Sequence, residues 1–158
     1  MNPPLASPRI VSHAEMLIFG IGQECNEAGV GTIPQQWERL RSHIDHIPGQ
    51  VGDAAYGLIS NFPDGKGFLY IAGVEVSKFP PEPADFTRFQ VPPQTYAIFR
   101  HMGHLSGVLA TWQAIYKHGL RDAGYKGLPG PSLERYGPEF SAETGLGGFE
   151  IWIPVAPI

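Results

Sequence analysis

Cysteine is nearly missing from this 158-residue chain, where Cys25 stands alone. A single thiol can form no internal disulfide and cannot supply a Cys-rich zinc site. A reducing compartment fits, and the protein is expected to be cytoplasmic. Long apolar runs are missing as well. The longest, MLIFGI at Met16–Ile21, falls far short of the roughly 20 residues that span a bilayer. The opening MNPPLASPRI has neither the charged start nor the apolar stretch of a secretory signal, so no membrane partner is expected. Positive charge is sparse and scattered: Lys and Arg number 11 against 15 Asp and Glu, giving a net charge of −4. Arg39 and Arg41 are the nearest thing to a basic cluster. Such a chain has no phosphate-tracking surface, and direct nucleic-acid binding is not expected.

What is present is apolar surface and punctuation. With 42% hydrophobic residues the chain can bury a core, and its length fits a single domain over 1–158. The 20 Gly and 16 Pro divide it into short pieces. The clearest break is KFPPEPADF, Lys78–Phe86. Before it, RIVSHAEMLIFGIGQEC suggests a strand or bent strand pair, TIPQQWERLRSHIDHIPG a helix, and AAYGLISNF and GFLYIAGVEVSK two strands. Thr32 is the expected N-cap of that helix, Pro34 lies in its first turn and Gly49 closes it. After the break the order returns: DFTRFQVPPQTYAIFRHMG as strand, LSGVLATWQAIYKHGLRDAG as helix, SLERYGPEF and GFEIWIPVAP as strands. Trp37 and Trp112 fall on the two helices, and Gly67 and Gly148 open the matching last strands at a similar offset.

The expected fold is therefore α+β: duplicated β-α-β-β units, with pseudo-repeats at about 8–78 and 85–158, forming an antiparallel sheet with two helices and a ligand groove between them. An ordinary α+β domain with repetitive turns is the alternative. On the second helix Val108, Leu109, Trp112, Ile115 and Tyr116 recur at three- and four-residue steps, one apolar face expected to pack on the sheet.

Motifs for nucleotide, zinc-protease and α/β-hydrolase chemistry do not occur in the sequence. His43/His46 and His101/His104 have i, i+3 spacing, but two imidazoles lack the third ligand a metal needs, so no metal site is assigned. Cys25 has no adjacent His or Lys to activate it and reads as a small buried residue. Strand alternation puts Glu134 and Tyr136 on one face and Leu133 and Arg135 on the other. If that face turns inward, a desolvated carboxylate beside a phenol favours an organic cation. Otherwise Glu134 meets solvent or pairs with Arg100 or Arg135. Parity leaves both placements open.

HMGHLSGVLATWQAIYKHGL, GPSLERYGPEF and GGFEIWIPV together resemble the GyrI-like, AraC-type effector-binding domains, the multidrug-sensing modules of bacterial transcription regulators. The resemblance extends back through FLYIAGVEV and rests on His101 and Gly103, Trp112, Glu134 and Tyr136, and Glu150, Trp152 and Pro154. It implies a Glu, here Glu134, that neutralises cationic drugs in an aromatic pocket. Trp112, Tyr136 and Trp152 stand at matching positions, and Trp37 and Tyr56 are added by pseudo-symmetry. Because the first family-like strand begins within the first dozen residues, a stand-alone binder of cationic, aromatic small molecules is expected, similar to members carried on mobile gene cassettes. No cofactor is implied. A GyrI-like hydrolase of electrophilic compounds and a gyrase-inhibitor-like interaction module are the competing readings. A protein partner or a homodimer is left open.

Overall fold

The structure, a computed structural model, describes residues 5–26 and 33–158. Among these, nine strands and two helical segments occur, the strands within each unit pair antiparallel, and the α+β class is as expected. The chain forms two compact units. The first is Ala14–Pro93; the second joins Met1–His13 to Gln94–Ile158.

In the first unit β2 (Met16–Cys25), α1 (Ile33–Arg41), β3 (Gln50–Asn61), β4 (Phe68–Val76) and β5 (Thr87–Val91) follow in order. The strands pair as β3-β4-β2-β5. Gly20 and Gly73 lie opposite one another in the β2–β4 register. A Cβ on either would strike the facing backbone, which is why the two strands can come so close only at glycine. Helix α1 lays Leu40, Trp37 and Ile33 on Phe19, Tyr70, Val74 and Phe86, burial worth about 1.5–3 kcal/mol for each large apolar side chain. The buried Gln36 fastens it: its Nε2 donates to the carbonyls of Ile21 (2.8 Å) and Tyr70 (3.0 Å), one on each central strand.

Pro34 sits in the first turn of α1 as expected, and the proposed cap Thr32 lies outside the described residues. The helix stops at Arg41, not at Gly49. Turns occupy the interval, with Asp45 at φ 69° and Gly49 at φ 79°, left-handed positions that a continuous helix does not contain.

In the second unit β1 (Arg9–His13), β6 (Gln94–His101), α2 (Val108–Ala114), α3 (Leu120–Asp122), β7 (Tyr125–Gly127), β8 (Ser132–Tyr136) and β9 (Phe149–Pro157) are present. Its sheet order is β1-β6-β9-β8, with β7 on the far end of β9. The compact units thus follow a different partition from the sequence repeats at 8–78 and 85–158: β1 pairs with β6, and β5 with β2. The expected single strand around Pro92 and Pro93 is two strands, β5 and β6, because neither proline has an N–H for a ladder. The short β7 has no counterpart in the sequence reading.

The second helix is not regular. A 3₁₀ turn over Leu105–Gly107 leads into α2, and a π turn over Ile115–Gly119 separates α2 from α3. The i→i+5 spacing stacks Ile115 above Leu120, and both are buried against Phe99, Phe149, Ile151 and Ile153. This corrects the expected apolar face. Val108 and Trp112 do pack on the sheet, whereas Leu109 and Tyr116 are 66% and 59% exposed. No helix among the described residues is long and apolar enough to cross a membrane.

Candidate functional site

Two aromatic donors converge on one carboxylate in the second unit. In the β8–β9 register Glu134 lies opposite Ile151, whose side chain belongs to the cluster under the helix. Glu134 therefore faces α2 and is only 7% exposed. The Trp112 indole Nε1–H donates to Oε2 at 3.0 Å, and the Tyr136 hydroxyl donates to Oε1 at 3.1 Å. Both donors are neutral groups that hold the carboxylate oxygens in place. Of the two placements the sequence left open, the inward one is observed. Arg100 pairs with Glu139 at 3.4 Å, and Arg135 with Glu150 at 3.8 Å.

Rings build the surroundings. Tyr136 packs on Phe149 (centroids 4.6 Å) and Phe140 (4.9 Å). On the helix Trp112 stacks on Tyr116 at 6.2 Å with planes 13° apart. Tyr116, Phe140 and Phe149 were not among the residues expected at the site. Tyr116 carried a signal, standing one helical turn after Trp112. Phe140 and Phe149 reach Tyr136 from a loop and a neighbouring strand, contacts no local spacing announces.

Trp152 is not brought to this carboxylate. It pairs in register with Leu133 and Ile98, on the face of the sheet turned away from α2. There its indole donates to the other buried carboxylate, Glu150 Oε1, at 3.2 Å, and its ring meets those of Tyr96 and His13, each at 5.4 Å. Glu150 has guanidinium partners, Arg9 at 3.1 Å besides Arg135. The Tyr96 hydroxyl is buried with no hydrogen-bond partner, and desolvation pushes its pKa up to about 12.

The two residues proposed by pseudo-symmetry belong to the first unit. Trp37 rests half-buried on the α1 side, its Nε1–H donating to the Tyr70 hydroxyl at 3.1 Å. Tyr56 is buried but lies opposite Gly73 in register, alternating with Ala55 and Gly57, and so points away from α1. The structure therefore groups Trp112, Glu134 and Tyr136 and separates Trp152 from them.

Among the histidines, His101 spends both ring nitrogens on Thr111 Oγ1 (2.7 Å) and the His104 carbonyl (2.9 Å). His43 and His46 stand in the turns after α1.

A two-unit antiparallel α+β protein with a sheltered carboxylate under an indole and a phenol has the build of a small-molecule-binding domain. The chain belongs to the GyrI-like small molecule binding domain family, whose model matches residues 6–156. It is 35% identical over 149 residues, 93% of its length, to the transcriptional regulator BrlR of Pseudomonas aeruginosa, and spans about half (54%) of that protein. Among solved structures, SAV2435 bound to tetraphenylphosphonium is similar with a TM-score of 0.75 at 17% identity, over 96% of this chain and 94% of that one. An integron cassette protein from the mobile metagenome of Vibrio cholerae is similar with a TM-score of 0.68 at 20% identity, over 96% and 97%. At these identities the two structures show a shared fold.

Proposed function

We propose that this protein binds cationic, aromatic small molecules, with Glu134 as the group that meets the positive charge and Trp112 and Tyr136 as its aromatic flank. The observation that carries the reading is the Glu134 carboxylate, buried on the helix face and held by two neutral aromatic donors. A cationic centre about 4 Å from it gains on the order of 4 kcal/mol of gross Coulomb attraction at an effective dielectric near 20. Each ring face within reach adds about 0.5–2 kcal/mol. Desolvation of the ligand subtracts from both. A compound that spreads its charge over a large apolar body loses least, which favours lipophilic cations over compact, strongly hydrated ones. The tetraphenylphosphonium bound by SAV2435 has that chemistry and supports the choice of probe.

Titration of tetraphenylphosphonium or rhodamine, followed by tryptophan fluorescence, tests the proposal. Saturable quenching is expected, and Glu134→Gln is expected to weaken binding by tenfold or more, since it keeps the shape and removes the charge. Equal affinity in the two proteins would remove the carboxylate from the account. The kinship with BrlR supports a regulatory use of that binding, with ligand occupancy read by the transcription machinery.

A further inference from the structure

The site's donors are only as well aimed as the helix that carries Trp112, and one buried side chain holds that helix at two points. His101, at the end of β6, is 2% exposed. Its Nε2 lies 2.9 Å from the His104 carbonyl, an oxygen that can only accept, so Nε2 carries the proton. In the neutral ring Nδ1 is then an acceptor, and it takes the Thr111 hydroxyl at 2.7 Å. Gly103, at φ 90°, makes the turn that brings the His104 carbonyl back over the ring. His104 itself caps the turn entering α2, its Nδ1 accepting the Ser106 backbone N–H at 3.0 Å. One imidazole thus grips both the cap and the residue next to Trp112. Its ring also packs on Phe149 at 5.0 Å, which supports Tyr136. Trp112 and Tyr136, the aromatic donors that hold Glu134, are both reached from His101 in this way.

The first unit offers an internal comparison. Phe149 pairs with His101 as Phe68 pairs with Cys25, so Cys25 holds the place of the imidazole. Two residues further along, Ile151 faces Glu134 and Tyr70 faces Ile59, so Ile59 holds the place of the carboxylate. The imidazole and the carboxylate occur in the same unit.

We infer that His101 is a positioning residue for the Glu134 site, acting through Thr111 on the indole of Trp112 and through Phe149 on the phenol of Tyr136. The inference rests on the ligand reading above for its consequence, but the clamp can be observed without ligand. The three tryptophans donate to three different acceptors, Glu134, Tyr70 and Glu150, so their indole N–H resonances report three sites separately. Thr111→Val keeps the side-chain shape and removes the hydroxyl; Thr111→Ser keeps the hydroxyl. In Thr111→Val the Trp112 indole resonance is expected to move and to exchange with solvent several-fold faster. The Trp37 and Trp152 resonances stay in place as evidence of an intact fold. Affinity for tetraphenylphosphonium is expected to fall about fivefold, the equivalent of one hydrogen bond. Thr111→Ser should restore both. An unmoved Trp112 resonance in the valine variant overturns the inference, as does a serine variant as perturbed as the valine one. If the wild-type protein binds no phosphonium while the indole responds as described, the ligand reading fails and the clamp stands.

Discussion

In the unit Ala14–Pro93 the helix tryptophan gives its indole hydrogen to a phenol, Tyr70; in the unit that ends the chain it gives it to a carboxylate, Glu134. The two acceptors do not stand at the same place. By strand register Tyr70 matches Ile151, and Glu134 matches Ile59. Each unit thus puts one polar and one aliphatic residue across the same strand pair and exchanges which strand carries which. The frame keeps a tryptophan over the sheet in both. Only the second unit adds charge. The comparison teaches that the duplicated architecture supplies the aromatic cover, whereas the electrostatic character of a site is set by a single position on the strand beneath it.

The sharpest way to break that comparison is to equalise the units. Ile59→Glu places a carboxylate where the first unit has packed aliphatic surface against its core, and a loss of about 2–4 kcal/mol in unfolding free energy is expected from denaturant titration. An unchanged midpoint would mean that the position already tolerates an ion. Next comes the pair of tryptophans. Trp112→Phe removes a donor from Glu134 and is expected to weaken lipophilic-cation binding about fivefold to tenfold. Trp37→Phe, which removes a donor from a neutral phenol, should leave affinity within twofold and cost about 1 kcal/mol of stability. Calorimetric titration and thermal melts on the same preparations separate the two effects. Equal losses of affinity would mean that the charged acceptor is irrelevant.

The smallest effect concerns the far face of the second unit. Tyr96→Phe deletes a buried hydroxyl that has no partner and is expected to leave neutral-pH stability unchanged or raised by up to about 1 kcal/mol. Because burial pushes the folded phenol up to about 12, above its ordinary value of about 10, the unfolded chain releases this proton first as pH rises. Stability is therefore lost between about pH 10 and pH 12, by up to roughly 2–3 kcal/mol. The phenylalanine variant should lack this part of the alkaline decline in a pH series of melts.

Much of this was legible in the sequence. Glycine and proline punctuation marked the strand ends, but the repeated order of elements did not reveal which outer strand joins which unit, because β1 pairs with β6 and β5 with β2. The inward face of Glu134 was not legible, because alternation fixes relative but not absolute orientation; the pairing of Glu134 with Ile151 decides it. Trp152 was misgrouped for the same reason. It lies on β9 two residues from Glu150, and only cross-strand register reveals that its face is that of Leu133 and not of Glu134. The exposure of Tyr116 escaped a regular 3.6-residue count because the π turn at Ile115–Gly119 changes the period within the helix. Register makes Ile59 the counterpart of Glu134, an identity too different to be guessed from spacing.

The pairing of β1 with β6 and of β5 with β2 has a practical consequence for anyone who wishes to dissect the molecule. Residues 14–93 form one uninterrupted segment, but the unit that carries Glu134 does not: its strand β1 precedes that segment and the rest follows it. Splitting the gene at the proline-rich connector would sever both units from an outer strand, so split-reporter designs and circular permutants are better cut at the His13–Ala14 or Pro93–Gln94 junctions.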